Sequence, residues 1–410
     1  MGQPSESQPP VAGRDRAAAP SRPIWRRLVS AQESGLVVVI ALMMVLLTVF
    51  GGSKPASMRV EARVGHQQLK VLSDTEIEVL NKVGPSHRYT SETPWRIRDG
   101  DDGGQVAFGT RTVNKFLDTE NLVIVTTNAS FIAIMAVGMT AIIVLAGIDL
   151  SIGSIYALAA IIGGMALRYL ETVLPGAGVW ASVPVAIAVC CAVGAVCGFA
   201  NGFASVALRV HPFIITLGTM AIYRGLVFVI TKGETVSGLP ESVQKGFFKY
   251  QMAGVYPIPT IIMLFVALLG MFVLARTVFG RRIYAIGGNE LAAKYAGIPV
   301  GRVKTIVYTL SGVLVGLSAS IYLGYYGAAE TNAGAGYELR VIAAAVIGGA
   351  SLSGGRGSAI GAVLGAILVE LINSGMVILG IDQSYNQIVM GLAIVIAVVV
   401  DQTKSRFTAK

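Results

Sequence analysis

Apolar residues in this chain run in long unbroken blocks, without the alternation of 3.6 or 2 residues that marks a half-buried helix or strand. Ten such blocks cover 35–50, 121–146, 152–167, 179–208, 213–230, 258–274, 305–324, 339–350, 359–379 and 385–400. A hydrocarbon layer about 30 Å thick takes roughly 20 apolar residues as helix. The pattern therefore predicts an all-α, polytopic membrane protein of about ten transmembrane helices, and the even number puts both termini on one side. Residues 51–118 break the pattern: they are polar and charged, hold His66, His87 and Trp95, and have no run long enough to cross. Within them Ser73-Asp74-Thr75-Glu76 precedes Ile77, Val79 and Leu80, with Gly84-Pro85 after, which reads as a short capped helix in a water-exposed insertion.

Composition sharpens this. Only 13% of residues are charged and 54% are hydrophobic, against about 25% charged in ordinary soluble domains, so a soluble enzyme is excluded. The net charge of +9 points to nucleic acid only if the cations form one patch, and they do not. On the ten-span map Arg14, Arg16, Arg22, Arg26, Arg27, Arg209, Arg356 and the tail fall on one side. Residues 276–304, with Arg276, Arg281, Arg282, Lys294, Arg302 and Lys304, fall there too, while loops 327–337 and 380–384 lack Lys and Arg. That is the positive-inside pattern, with both termini cytoplasmic. The block at 35–50 follows basic residues as a signal peptide would, but its length favours a retained anchor. The layout is then a cytoplasmic tail (1–34), a first transmembrane helix (35–50), an extracytoplasmic insertion (51–118), a transmembrane core (119–400) carrying a cytoplasmic loop at 276–304, and a cytoplasmic tail (401–410). Cys190, Cys191 and Cys197 are too few for a disulfide framework and read as buried thiols.

Two glycine- and polar-rich segments interrupt apolar sequence: GIDLSIGS at 147–154 and GGASLSGGRGS at 348–358. Backbone that leaves a helix at membrane depth must be buried in protein or line a wet cavity, and paired breaks in two halves of a chain point to a transport path. Equally, each is a tight turn in which Asp149 or Ser151 caps the next helix. Leu352-Ser353-Gly354-Gly355 has the letters of a nucleotide-contacting signature, but no GxxxxGK[ST] loop accompanies it, so it reads as a turn. No Ser/His/Asp or Cys/His constellation lies in the embedded region, and neither a catalytic site, a metal site nor a cofactor is expected. Arg224, Glu338, Arg340 and Glu370 fall in or near apolar blocks and are expected to be paired or to face a polar interior.

The loop GRRIYAIGGNELAAKYAGIPVGRVK at 280–304 has a short helix marked at both ends. Asn289 suits the N-cap, Glu290 the first turn, Gly297 the left-handed position after the end, and Pro299 prevents continuation. Two turns of amphipathic helix among basic residues form either a plug for a partner's groove or an interfacial helix on membrane lipid.

IMAVGMT at 134–140 followed by GIDLSIGS, RRIYAIGGNELAAKYAGIPV at 281–300, GAGYEL at 334–339 and VIGGASLSGGRGS at 346–358 resemble the permease family of sugar ABC importers, the ribose, xylose, galactose and inositol type. The resemblance covers about residue 116 to the end, plus the first span. It implies a homodimeric inner-membrane permease with interrupted helices, of the vitamin-B12-importer type. It also implies an ABC ATPase subunit and an extracytoplasmic sugar-binding protein as partners. Residues Arg281, Arg282, Gly287, Gly288, Asn289, Glu290, Ala293 and Gly297 would then form the region that docks on the ATPase. The insertion has no counterpart in the family, and Arg340 stands where the family has an acidic residue, with Glu338 as its expected compensating partner. The expected function is import of a neutral monosaccharide or polyol, with Asp149, Ser151, Tyr156, Asn332 and Glu338 lining the path. A permease for branched-chain amino acids or nucleosides, an ion-coupled secondary transporter, and a membrane-tethered enzyme with its site in the insertion are the rivals.

Overall fold

The computed structural model describes residues 32–62, 67–81, 85–99, 104–252 and 255–408. The N-terminal arginines, His66, Gly84 and Lys410 lie outside them. Helix α1 (Gln32–Phe50) leads into strands β1 (Ser53–Ala62), β2 (Gln67–Ser73), β3 (Glu76–Asn81), β4 (His87–Thr90), β5 (Arg96–Asp99) and β6 (Gln105–Asn114). Then follow α2 (Thr119–Val144), α3 (Ile152–Val173), α4 (Val179–Leu208), α5 (Pro212–Thr231), α6 (Pro257–Arg276), α7 (Val278–Gly288), α8 (Glu290–Tyr295), α9 (Val300–Tyr326), α10 (Tyr337–Ile347), α11 (Ala359–Ile378) and α12 (Asn386–Thr408).

The insertion corrects the all-α expectation. Its strands form two antiparallel sheets, ordered β1-β6-β5 and β2-β3-β4, and the helix expected after Ser73 is instead the β2–β3 hairpin. Ile77 and Val79, two apart, are both buried with Val60 and Ala107, so the apolar spacing is that of a strand face. Asp74-Thr75 makes the turn. Residues that suit a helix cap suit such a turn equally, because both use a short polar side chain near free backbone amides. Trp95 covers this small core and donates its indole N–H to the Thr75 carbonyl at 3.0 Å. Where the sheets meet the helices, Asn114 donates to the Thr48 carbonyl at 2.7 Å and Lys54 pairs with Asp118 at 2.6 Å.

Among the described residues eight helices are long and apolar enough to cross a membrane: α1 to α6, α9 and α11. The block at 339–350 does not cross as a helix. Its element, α10, has 11 residues, about 16 Å at 1.5 Å per residue, half a bilayer core. Part of α12 lies outside the residues whose side chains are described.

Helices α4 and α9 pack through glycine. A β-carbon on Gly194 would strike the Gly312 carbonyl, one on Gly198 the Tyr308 carbonyl, and one on Gly316 the Cys190 carbonyl. Small residues spaced by four let the α4 and α9 backbones touch. In hydrocarbon this dispersion contact replaces the hydrophobic effect, because lipid tails are as apolar as the side chains. Cys190 is buried at the same seam, its thiol directed to the Ala159 carbonyl at 3.3 Å.

Candidate functional site

The first break connects α2 to α3. Val144 ends α2 beside Gly287 of α7, at the end of the bundle opposite the sheets. Ser154 of α3 donates to the Met220 carbonyl at 2.9 Å, eight residues into α5, so α3 begins roughly 12 Å deeper in the bundle. The intervening backbone is non-helical and finds partners from three helices. Thr216 of α5 accepts from the Leu150 amide at 3.2 Å and donates to the Ile148 carbonyl at 3.3 Å. Tyr308 of α9 donates to the same carbonyl at 3.3 Å. Asp149 accepts from the Ser151 amide and hydroxyl at 2.8 and 2.6 Å, Asn201 of α4 donates to the Ser151 hydroxyl at 2.7 Å, and Tyr223 donates to Asn201 at 3.2 Å. Asp149 and Ser151 are thus enclosed within the protomer, where they hold the break in shape.

The second interrupted crossing begins at the opposite end. Ala329 bridges Val236 beside the sheets' end of α5, after which residues 330–336 descend as consecutive turns. Arg224, in the middle of α5, donates to the carbonyls of Thr331 at 2.8 Å, Ala333 at 3.0 Å and Gly153 at 3.2 Å. One guanidinium therefore satisfies non-helical backbone of the second interrupted crossing and ties it to the first turn of α3 in the first. Gly334 and Gly336 take the left-handed backbone these turns need, with φ of +68° and +77°. Half-helix α10 then runs on to residues 348–358.

Around Gly153 and Gly334 the structure gathers three of the five path residues expected from sequence. Tyr156 and the Glu338 carboxylate flank the contact between these glycines, and Asn332 is exposed between the two carbonyls that Arg224 holds. Among the described residues the buried Tyr156 hydroxyl has no hydrogen-bond partner, although its ring packs against Tyr322 and Tyr337 at 5.4 and 5.2 Å. Asp149 and Ser151 belong to the separate network above. Arg340 lies over the Tyr337 ring at 5.7 Å, and among the described residues no salt bridge joins it to Glu338, the partner the sequence suggested.

Beside them is a polar face that sequence reasoning marked only by Glu370. This carboxylate is 2% exposed and accepts from Asn128 of α2 at 3.1 Å and Asn373 at 3.2 Å. Asn386 donates to Asn373 at 2.6 Å, and the half-exposed Tyr326 donates to Asn128 at 3.3 Å. Asn128 lies in the Asn-Ala-Ser triplet of an apolar block. The legible signal was a side-chain amide within an apolar block, where polar groups seldom lie without a partner.

At the other end, α8 has the caps the sequence marks. Asn289 accepts from the Ala292 amide at 2.9 Å, Glu290 occupies the first turn, and Gly297 is left-handed at φ +77°. Ala293 is buried under the helix, and Glu290 pairs with Lys304 of α9 at 2.8 Å. Arg281, Arg282 and Gly288 are exposed on α7. Gly287 touches the backbone of Val144 and Gly355 so closely that a β-carbon there would overlap both, and Tyr284 donates to the Gly357 carbonyl at 2.7 Å. The α7–α8 corner therefore bears directly on both breaks.

Residues 121–398 match the family model described as branched-chain amino acid transport system / permease component. The chain is 39% identical over 296 residues to the ribose import permease protein RbsC of Bacillus subtilis (strain 168), covering 71% of this chain and 87% of that one. It is 39% identical over 291 residues to RbsC of Escherichia coli (strain K12), covering 70% and 88%. To the D-allose transport system permease protein AlsC of the same organism it is 36% identical over 299 residues, covering 73% and 88%. No solved structure matches the chain. A family-model match across the whole helical core, with relatives of this identity along nearly their full length, makes the chain a member of the branched-chain amino acid transport system / permease component family.

Proposed function

We propose that this chain is the membrane-spanning subunit of an ATP-driven importer for a neutral monosaccharide or polyol in a bacterial inner membrane. ATP is hydrolysed by a separate ABC subunit, and cargo is delivered by an extracytoplasmic sugar-binding protein. The contact of Gly287 with both helix breaks carries the mechanical half of this reading. Force applied to α8 from the cytoplasm reaches the non-helical backbone of both interrupted crossings through one corner. Relatives named for ribose and allose transport support the sugar class over branched-chain amino acids.

In this reading residues 1–34 and 401–410 are cytoplasmic, 51–118 lie on the face where the binding protein docks, and 276–304 engage the ATPase through Arg281, Arg282, Gly287, Gly288, Asn289, Glu290, Ala293 and Gly297. Two copies of the chain, arranged as in the vitamin-B12-importer type, enclose a path lined by Tyr156, Asn332, Glu338 and the Glu370–Asn128–Tyr326 face. Asp149 and Ser151 shape that path from behind. Switching access needs only a few kcal/mol of differential binding between two states, well within what ATP binding to a partner supplies. Vesicles carrying the chain, its ATPase and its binding protein should accumulate labelled ribose or allose with ATP inside the ATPase compartment. Uptake of leucine but of neither sugar would reject the sugar class.

A further inference from the structure

A second site lies away from the path, between α4, α5, α8 and α9. It is a cavity of about 1250 Å³, larger than the roughly 300–1,000 Å³ of small-molecule pockets, and its two ends differ in chemistry. At the α8 end it is cationic. Arg209, Lys294 and Arg302 are exposed at the mouth and pair with no carboxylate among the described residues, while Glu290, the acid of the lining, is already held by Lys304. Arg209 is one of three non-glycine residues with positive φ among the described residues, at 54°, in the turn between α4 and α5. His211 closes the start of α5 by accepting from the Phe213 amide at 3.3 Å, so the positive end of that helix dipole also faces the mouth.

Deeper in, the wall is apolar. Phe199 and Phe203 of α4 stack at 5.6 Å between centroids, 51% and 55% exposed, and Ile306 of α9 is 47% exposed. Phe199 is nine residues before the end of α4, about 13 Å along the helix axis. A water-soluble partner does not reach that depth in a bilayer, whereas a molecule with an anionic head and a hydrocarbon tail places both ends where the wall suits them. Basic pockets between transmembrane helices at the cytoplasmic side are the setting in which phosphate headgroups are held.

We propose that this cavity binds one anionic phospholipid of the leaflet beside α8, with the phosphate held by Arg209, Arg302 and Lys294 and an acyl chain lying along Phe199 and Phe203. The lipid bridges α8 to the α4–α5 turn and so links the local bilayer to the corner that presses on both breaks.

The test uses the full-length chain in phosphatidylcholine vesicles containing a trace of spin-labelled phosphatidylglycerol or spin-labelled phosphatidylcholine. The motionally restricted fraction of each label is measured by electron paramagnetic resonance. The expected result is several-fold greater restriction of phosphatidylglycerol. R209Q/R302Q should abolish that preference, K294Q should weaken it, and F203A should reduce restriction of the chain label with the headgroup preference kept. The thermal midpoint of each variant confirms that it is folded. Equal restriction of the two lipids, or a preference that survives in folded R209Q/R302Q and K294Q, would overturn the proposal. So would release of phosphatidylglycerol by inorganic phosphate but not by chloride at equal ionic strength, which would make it a site for a free anion. Loss of ATPase binding in R209Q/R302Q with lipid restriction unchanged would assign the mouth to the protein partner instead.

Discussion

Gly355 donates its backbone N–H to the Val144 carbonyl at 2.9 Å, joining the end of α2 to the glycine-rich turn before α11. The two helix breaks, 211 residues apart between these two positions, thus meet in one hydrogen bond. Gly287 of α7 lies against both of its ends. Val144 is fully buried, and a buried carbonyl left unpaired costs about 1–3 kcal/mol. The joint therefore moves as a unit with α7.

Gly287→Val places a side chain where the Val144 carbonyl and Gly355 amide already are. The expected outcome is a drop of about tenfold or more in ATP-dependent uptake, equivalent to ~1.4 kcal/mol in the coupled step. A β-carbon there overlaps backbone as one at Gly312 does, so the thermal midpoint should fall as well, and uptake is compared at equal amounts of folded, ATPase-bound protein. Glu290→Lys, at an exposed position on α8, should lower uptake by weakening ATPase docking without touching the breaks. Uptake per mole of inserted protein, with co-purification of the ATPase, separates the two effects.

The α4–α9 seam makes a second prediction. Gly312→Val forces the backbones of these helices apart, because the added atoms meet the Gly194 carbonyl and the Gly198 α-carbon at 3.1 Å. Overpacking of this kind costs about 1–3 kcal/mol, and at such a backbone contact the upper end is expected. Thermal melting in detergent should fall by several degrees, whereas Gly218→Val on α5, where a β-carbon meets open space, should leave it unchanged.

Arg224 supplies three charge-assisted bonds, two to the Thr331 and Ala333 carbonyls outside any helix and one to Gly153 in the first turn of α3. Arg224→Met leaves them bare and should cost about 3 kcal/mol or more, since each bond to a charged donor is worth roughly 1.5–3 kcal/mol. Arg224→Lys keeps the charge but not the planar fork and should recover only part of that. Hydrogen exchange across residues 329–336 is the direct readout, and protection there should fall in the order Arg, Lys, Met.

Eight of the ten predicted spans and the α8 corner were legible because long apolar blocks and cap residues are local signals. Asn289, Glu290 and Gly297 each act on backbone within a few positions. The insertion was misread because Ser-Asp-Thr-Glu serves a helix cap and a hairpin turn alike, and only the burial of Ile77 with Val60 and Ala107 from distant strands decides between them. The site was legible in part for the same reason. Tyr156 and Glu338 stood beside recognisable glycine motifs, whereas the partners of Glu370 come from α2, 242 residues away, and from its own helix. Arg340 shows the limit of reading charge from sequence neighbours: Glu338 is two residues off, yet the guanidinium lies over the Tyr337 ring.

The junction of insertion and membrane has its own pH dependence. Lys54 beside Asp118 holds that carboxyl below its ordinary value of 3.8, and Asp118 raises Lys54 above 10.5. A lowered carboxylate contributes stability above its unfolded pKa and loses it as pH falls through the folded one. A raised ammonium contributes below its unfolded pKa and loses it at higher pH. The pair therefore stabilises the junction between about pH 4 and 10.5 and fades on acidification below that window. Being partly exposed, it is worth no more than about 1 kcal/mol. Exchange protection of β1 and β6 measured from pH 6 to pH 3 should drop in the native chain, and the drop should be smaller in Asp118→Asn.

The account rests on force arriving at the α7–α8 corner from a separate ATPase. Proteoliposomes holding the chain, with a sugar-binding protein outside and ATP within, measure this directly through the internal concentration of labelled ribose or allose. The expected result is accumulation above the external level only when the ATPase subunit is co-reconstituted, and its loss with Gly287→Val. Uphill accumulation by the chain alone, driven by an ion gradient and indifferent to that substitution, would contradict it.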